Sequence, residues 1–187
     1  MASSFWTVGR SWVHWPGLLV RARTLSVTSR DRPQDWHRAA PKAEWLAAEH
    51  RSADDRSQQR LLLKHWAGLR CAAPLDTAAS GLVVFTQESG IWRRLVDDAI
   101  TVEHELWVDV SGPVAPAALA TLQRQVRASI NRQNEAGTRL RVAAKGLRKG
   151  QLAAWCEAAG IRPDALHRAR LGRLALGSLA AGQWRLM

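Results

Sequence analysis

Asp76 is the residue whose type and position most directly suggest chemistry, because it lies in a short turn just before an apolar run. The run Leu82–Thr86 is typical of a buried β-strand. A carboxylate held rigidly at the start of a strand can act as an acid, a base or a nucleophile. On spacing alone, the alternative is that Asp76 merely caps a turn. The full stretch reads Pro74-Leu75-Asp76-Thr77-Ala78-Ala79-Ser80-Gly81-Leu82-Val83-Val84-Phe85-Thr86.

The elements around this stretch predict an α+β fold. Apolar spacing and turn residues indicate strands at 82–86, 106–110 and 140–144, and helices at 61–66, 90–96, 115–127 and 151–159. Residues 44–50 fit a short strand or a short helix. Because strands and helices mix without regular β–α–β alternation, we expect a mainly antiparallel mixed sheet flanked by helices.

Length and charge narrow the class of protein. A chain of 187 residues can bury one sizeable core, and no apolar run is long enough to span a bilayer, so we expect a soluble globular protein without a membrane partner. The net charge of +11 indicates an anionic partner, and nucleic acid is the best fit. The alternative is an arginine-rich composition that serves no ligand.

The distribution of charge favours RNA binding over a uniform bias. Residues 139–187 hold ten Arg or Lys and only two acids, whereas residues 71–120 hold two Arg and seven acids. Arginine outnumbers lysine 23 to 4, and the guanidinium group suits bidentate phosphate contacts. Genomic base composition could produce the same preference for arginine.

Several kinds of site have no support in the sequence. Cys71 and Cys156 are the only cysteines, and they lack the spacing of a zinc site or a disulfide framework. The six histidines are scattered without metal-ligand spacing, so no metal is expected. Phosphate-binding and nucleophile-elbow motifs are missing, which argues against nucleotide hydrolysis and hydrolase chemistry.

Two separate motifs resemble those of RNA pseudouridine synthases of the small-subunit and large-subunit rRNA branch. The Asp76 stretch is similar to the family's R-L-D-x-x-(T/S)-x-G-L-L-x-L-T segment. Residues 166–186, which begin Leu166-His167-Arg168-Ala169-Arg170-Leu171-Gly172, resemble its closing L-x-R-x-x-(I/M)-G segment. Between them, residues 145–156 are similar to a G-x-x-(R/H)-Q-(I/V) stretch, which on its own would be explained as a solvated strand-to-helix turn.

The resemblance implies that Asp76 is the nucleophile or general base of a cofactor-free uridine isomerisation. It also implies RNA contacts from basic and polar residues near the C-terminus, which are Arg148, Lys149, Gln151, Arg168 and Arg170. A structural or surface role is the alternative for Arg168 and Arg170. The RNA implied is rRNA, with tRNA as the alternative, and a monomer is the expected state.

Four departures from the family pattern bear on activity. Pro74 replaces the arginine before Leu-Asp, Leu106 takes the place of the tyrosine that stacks on the target base, and Ala153 replaces the basic partner of the aspartate. The family's N-K-P segment would fall near Glu49-His50-Arg51. These losses favour an alternative, an RNA-binding pseudoenzyme of the same fold. A degraded gene product without a stable fold is a third hypothesis.

Residues 1–40 are predicted to be a basic N-terminal segment, and residues 41–187 a pseudouridine-synthase-like domain. Trp12 to Arg21, followed by Arg23-Thr24-Leu25, resembles the latter half of an S4 RNA-binding module, in which a helix leads through glycine into a basic hairpin. The arginines and hydroxyls of residues 1–30 are also compatible with an organellar transit peptide. A cytoplasmic location is the expectation.

Overall fold

The fold is an α+β arrangement around one large sheet. The computed structural model describes residues 47–55, 57, 68–73, 75 and 79–186, together with the strand backbone at 5–8, 11–14 and 24–29. Short 3-10 helices occupy Ala48–His50 and Ala99–Thr101. The main elements in chain order are β1 (Phe5–Val8), β2 (Ser11–His14), β3 (Thr24–Ser29), β4 (Arg70–Ala73), β5 (Ala79–Thr86), α1 (Ser89–Val96), β6 (Glu103–Ser111), α2 (Pro116–Gln123), β7 (Arg127–Asn134), β8 (Gly137–Lys145), α3 (Gln151–Ala158), β9 (Ala165–Leu171), β10 (Leu174–Ala175) and β11 (Trp184–Leu186).

Nine of these strands form the large sheet, in the order β11-β3-β5-β9-β6-β8-β7, with β10 paired to β9 and β4 paired to β5. Among the strands that the structure describes, β5 and β9 form the parallel pair and the other neighbours are antiparallel. The predicted α+β class with a mainly antiparallel mixed sheet is therefore confirmed.

Strand β5 is buried on both faces and divides the core into two clusters. Val83 and Phe85 belong to the larger cluster, which also contains residues of α2 and α3 such as Leu122 and Leu152. Leu82 and Val84 belong to a smaller cluster beneath the C-terminal residues 171–179. This double burial explains the unbroken apolar run of β5, since a strand covered on one face only would alternate.

The short helices follow the local signals in the sequence. Helix α1 coincides with the predicted 90–96 segment, and α2 begins at Pro116, which suits the first helical position because its missing N–H has no helical partner. Helix α3 ends before Gly160, whose φ of 70° lies in the left-handed region. Within the described part of the chain, none of the helices has the length and apolar character to cross a membrane.

The predicted helix 115–127 is too long, because α2 ends at Gln123 and Arg127 begins β7. Strand β7 has no apolar alternation that could reveal it, since Ala128 is its single buried residue. It lies at an edge of the sheet, where polar side chains remain in water. The predicted helix 61–66 lies outside the described residues.

The N-terminal strands differ from the S4-like prediction. Trp12–His14 belong to β2, which pairs with β1, so a strand stands where the resemblance implies a helix. Strand β3 lies inside the large sheet between β5 and β11. This part of the predicted N-terminal segment is therefore a strand of the same sheet as the predicted catalytic domain, and the S4-like module is not confirmed.

The close contact between β5 and β9 depends on Gly81. Its φ is 101°, and a Cβ atom built on it would stand 2.4 Å from the backbone oxygen and 2.8 Å from the backbone nitrogen of Arg168. Both the backbone conformation and the space therefore require glycine here. Gly81 is the glycine of the Ser-Gly pair that follows Asp76, so this part of the motif has a structural reason.

We expect Gly81→Ala to lower the free energy of unfolding by more than about 2 kcal/mol, because it adds a clash with β9 to the cost of positive φ. Gly160→Ala is the matched control, since Gly160 also has positive φ, but a Cβ atom added there would meet no neighbour within 4 Å. Urea unfolding of both variants gives the comparison. Equal losses of stability in the two variants would show that the clash of the added Cβ atom with β9 does not lower the free energy of unfolding.

Candidate active site

Arg168 occupies the point where three strands meet beside the Asp76 stretch. The edge of β5 is shared by β9, paired at Ala79–Gly81, and by β4, whose Ala73 is paired with Val84. The guanidinium group of Arg168 fills the junction: Nε donates to the Leu82 carbonyl at 2.8 Å, and Nη2 donates to the Ala73 carbonyl. The side chain thus joins β9 to both β5 and β4. We call this arrangement the arginine junction.

The arginine junction is buried, since Arg168 is 4% exposed. Burial lowers the pKa of Arg168 to about 10, so the group is still charged at neutral pH. Burial is the main cause that lowers the pKa of the neighbouring His104 to about 4, and the positive charge of Arg168 is the second cause. Burial raises the pKa of the Cys71 thiol to about 11. Arg168 is therefore a buried cation beside a neutral imidazole and a neutral thiol.

Asp76 itself lies outside the described residues, and its predicted role stays a prediction. Its described chain neighbours are fixed in the protein interior. Leu75 and Ala79 are each 2% exposed and both belong to the larger core cluster. Ala73, which precedes the 74–78 stretch, accepts the hydrogen bond from Arg168. Both ends of the stretch that contains Asp76 are therefore anchored by packing and by the arginine junction.

Arg170 lies on the same strand as Arg168 but in a different environment. Its guanidinium donates to Glu105 at 2.9 Å, to Glu103 at 2.9 Å and to the Gly172 carbonyl at 2.9 Å. Glu105 also accepts two hydrogen bonds from Arg141, and Glu103 accepts one from Arg127. Arg170 is thus the centre of a charge network that crosses four strands. Its predicted RNA contact stays a prediction, and so does that of buried Arg168.

The turn between β8 and α3 carries the other predicted RNA-binding residues. Arg148 and Lys149 are exposed, and neither side chain forms an ion pair with the described residues. The Gln151 side chain accepts a hydrogen bond from the Arg148 backbone N–H at 3.0 Å. Gln151 therefore holds the turn, while Arg148 and Lys149 present their charges to solvent.

Three of the four departures from the family pattern can be placed in the structure. Residues 49–51 lie in and just after the short 3-10 helix Ala48–His50. Leu106 is 6% exposed in the larger core cluster and lies opposite Arg168 in the pairing of β6 with β9. It supplies an apolar surface beside the arginine junction, without an aromatic ring. Ala153 lies on the first turn of α3 and is partly exposed. Pro74 lies outside the described residues.

Sequence reasoning missed a row of planar groups that crosses three adjacent strands. His167 on β9 stacks on Trp107 of β6, with ring centroids 5.4 Å apart and an interplanar angle of 18°. The guanidinium of Arg139 on β8 lies 5.2 Å from the Trp107 ring centroid. We call His167, Trp107 and Arg139 the aromatic row. The alternation of β6 was visible in the sequence, but the register that aligns these residues was not.

The part of the chain that the structure describes contains no candidate metal site. No group of three or more His, Cys, Asp or Glu side chains comes together there in a way that could hold an ion. The acidic side chains of the sheet are instead engaged by arginines, as in the charge network around Arg170 and in the bidentate pair of Arg139 with Asp109.

Comparison with solved structures shows which fold this is. The chain is similar to a pseudouridylate synthase with a TM-score of 0.61 and 18% identity, over 91% of this chain and 72% of that one. It is also similar to the archaeal box H/ACA sRNP Nop10–Cbf5 complex, with a TM-score of 0.52, 12% identity and 84% of this chain covered. A third similar structure is an H/ACA RNP bound to a substrate RNA containing 2'-deoxyuridine, with a TM-score of 0.51, 11% identity and 83% covered.

These similarities show the fold and not the activity, since identity is below one fifth throughout. The chain spans 50% and 49% of the two H/ACA proteins. No family model matches the sequence, and no curated protein matches it. The fold of pseudouridine synthases, which the two motifs predicted, is therefore confirmed. The rRNA branch stays a prediction.

The charge network gives a test of stability against pH. Hydrogen bonds from Arg141 and then from Arg170 lower the pKa of Glu105 to about 2, and its side chain is 12% exposed. The folded-state pKa lies below the unfolded one, so this stability is present above about pH 4.5 and is lost as pH falls toward 2. We expect Glu105→Gln to lower the free energy of unfolding by about 2 kcal/mol at pH 7.

We expect the free energy of unfolding of the Glu105→Gln variant to fall less between pH 5 and pH 2 than that of the wild type. Glu157→Gln, at an exposed position of α3, is the control and should follow the wild-type curve. A Glu105→Gln curve parallel to the wild-type curve would contradict the assignment of a depressed pKa to Glu105.

Proposed function

We propose that this chain is an RNA pseudouridine synthase that isomerises uridine in structured RNA, with rRNA as the substrate class. The observation that carries the proposal is the similarity of fold to a solved pseudouridylate synthase over 91% of the chain. The Asp76 motif lies at the start of β5 in this fold, and its Gly81 fits the close contact with β9. A cytoplasmic, monomeric enzyme is the form we propose.

The reaction is balanced without a cofactor. The bond between N1 of uracil and C1′ of the sugar breaks, the base turns, and C5 bonds to C1′. C5 then loses its proton and N1 takes up a proton from solvent, so the product has the same atoms as uridine. Asp76 would act beside the sugar and base as the nucleophile or general base, and it must be ionised to do so. The target nucleotide must also leave its stack before any protein group can reach it.

Arg168 is the residue that best supplies the cation for this carboxylate. The basic residue of the family pattern is replaced by Ala153, but the arginine junction places a buried positive charge at the Ala73 carbonyl, three residues before Asp76. A cation in a low-dielectric interior favours the ionised form of a nearby carboxyl. Arg168 would therefore act as a positioning and electrostatic residue rather than as a phosphate ligand.

Exposed cations supply the RNA-binding surface in this proposal. Arg148 and Lys149 at the turn before α3, and Arg173 at the turn after β9, are exposed. Phosphate contacts from such residues position the RNA without reading its sequence. The net charge of +11 agrees with this mode of binding.

An RNA-binding pseudoenzyme is the second candidate, and one observation favours it. Leu106 stands buried in the core at the position where the family has its base-stacking tyrosine, and the sequence contains no tyrosine at all. Loss of an aromatic partner costs about 1–3 kcal/mol of base stacking. In this alternative the surface still binds RNA, but the isomerisation does not occur.

The first test of the proposal is Asp76→Asn. We expect it to lower the rate of pseudouridine formation by about 10²-fold or more, because the amide cannot act as nucleophile or base. Unmodified rRNA transcripts are incubated with each protein, and pseudouridine is mapped by carbodiimide labelling and primer extension. Asp97→Asn, at the exposed end of α1, is the control and should match the wild type. Equal activity of Asp76→Asn and wild type would overturn the proposal.

The second test separates the electrostatic role of Arg168 from a structural one. Removing the cation by Arg168→Met should raise the pKa of Asp76, so the acid limb of the pH–rate profile should move to higher pH. Arg168→Lys keeps the charge and should restore the limb toward its wild-type position, even if the protein is less stable. A lower rate with an unmoved acid limb in both variants would show that Arg168 acts only through the fold.

A further inference from the structure

The aromatic row begins at the Asp76 motif and leads away from it across the sheet. Ser80, four residues after Asp76, contacts Nδ1 of His167 through its hydroxyl at 2.9 Å. From His167 the planar groups continue through Trp107 to Arg139 on successive strands β9, β6 and β8. An RNA strand that crosses the sheet from Ser80 toward β8 therefore meets these groups in turn.

The groups of the row are fixed by their contacts and remain partly exposed. Neither Trp107 nor His167 belongs to the two core clusters, and both are accessible to solvent. Asp109 fixes the guanidinium of Arg139 through two hydrogen bonds of 2.6 and 2.8 Å. Because the groups are ordered before any ligand arrives, a planar partner can stack on them with little loss of side-chain entropy.

The charge around the row suits a nucleotide. Arg132 on β7 lies opposite Arg139 in the pairing of β7 with β8, at the far end of the row. Asp109 is already paired with Arg139, so Arg132 leaves an excess of positive charge there. Arg132 is exposed and forms no ion pair with the residues that the structure describes. A phosphate could therefore be held beside a stacked base.

We propose that the aromatic row binds a nucleobase that flanks the target uridine, by stacking, and that Arg132 contacts the phosphate of that nucleotide. The inference rests on the proposed function in taking RNA as the ligand. It goes beyond the proposed function by naming a second contact site, on β9, β6 and β8, that needs no isomerisation to be observed. Trp107 would thus replace part of the stacking energy that Leu106 cannot provide.

The test compares Trp107→Leu with Trp92→Leu in binding to a single-stranded oligouridylate. Trp92 is the matched control, because it is also partly exposed and also lies under an arginine, with Arg70 4.1 Å from its ring centroid, but it belongs to α1. We expect Trp107→Leu to weaken binding about 5-fold to 150-fold, the cost of one lost base–aromatic stack. Trp92→Leu should bind as the wild type does, and Trp107→Phe should retain most of the affinity.

Salt titration distinguishes stacking from charge. Trp107→Leu should leave the slope of log K against log salt unchanged, whereas Arg132→Gln should reduce it by about 0.7, the value for one phosphate contact on a single strand. An abasic oligonucleotide with the same backbone gives a readout on the wild-type protein that does not depend on the folding of any variant. The wild-type protein should bind the abasic oligonucleotide more weakly than intact RNA, by about the same factor by which Trp107→Leu weakens binding to intact RNA.

Equal affinities of Trp107→Leu and Trp92→Leu, or equal binding of abasic and intact RNA by the wild type, would overturn the inference. Absence of wild-type RNA binding at low salt would overturn both this inference and the proposed function. Stacking-dependent binding by a protein that forms no pseudouridine would support the inference and overturn the proposed function, so the two failures are distinguishable.

Discussion

The buried guanidinium of Arg168 is the interaction on which the rest of this structure depends. Taking such a charge out of water costs several kcal/mol, and only well-placed acceptors offset that cost. The junction of β4, β5 and β9 provides them as the carbonyls of Ala73 and Leu82. Gly81 allows β9 to approach closely enough for the arginine to reach them. One side chain thereby links the closing motif of the chain to both ends of the Asp76 stretch.

This junction gives the two sequence motifs a common physical basis. The glycine of the first motif and the arginine of the second are in contact, although 87 positions separate Gly81 from Arg168 in the chain. In the proposed chemistry, the same junction would supply the cation that favours an ionised Asp76 carboxylate. In that proposal Arg168 takes the place of the basic residue that Ala153 replaces, whereas Leu106 still offers no aromatic ring.

The sequence predicted those parts of the fold that have strong local signals. The start of α2 at Pro116, helix α3 before Gly160 and the doubly buried β5 were predicted close to their observed positions, whereas the end of α2 was placed too late. Strand β7 was missed because it is polar and lies at an edge. The burial of Arg168 and the stacking of Trp107 on His167 were missed because both depend on strand order and register, which local sequence does not encode.

The most direct test of the proposed uridine isomerisation is the release of tritium from RNA labelled at C5 of uridine, because pseudouridine formation replaces that C–H bond by a C–C bond. We expect release into water by the wild-type protein with rRNA transcripts and none above background with Asp76→Asn. A folded, RNA-binding wild-type protein that releases no tritium from any rRNA transcript would contradict the proposed activity and leave an RNA-binding pseudoenzyme.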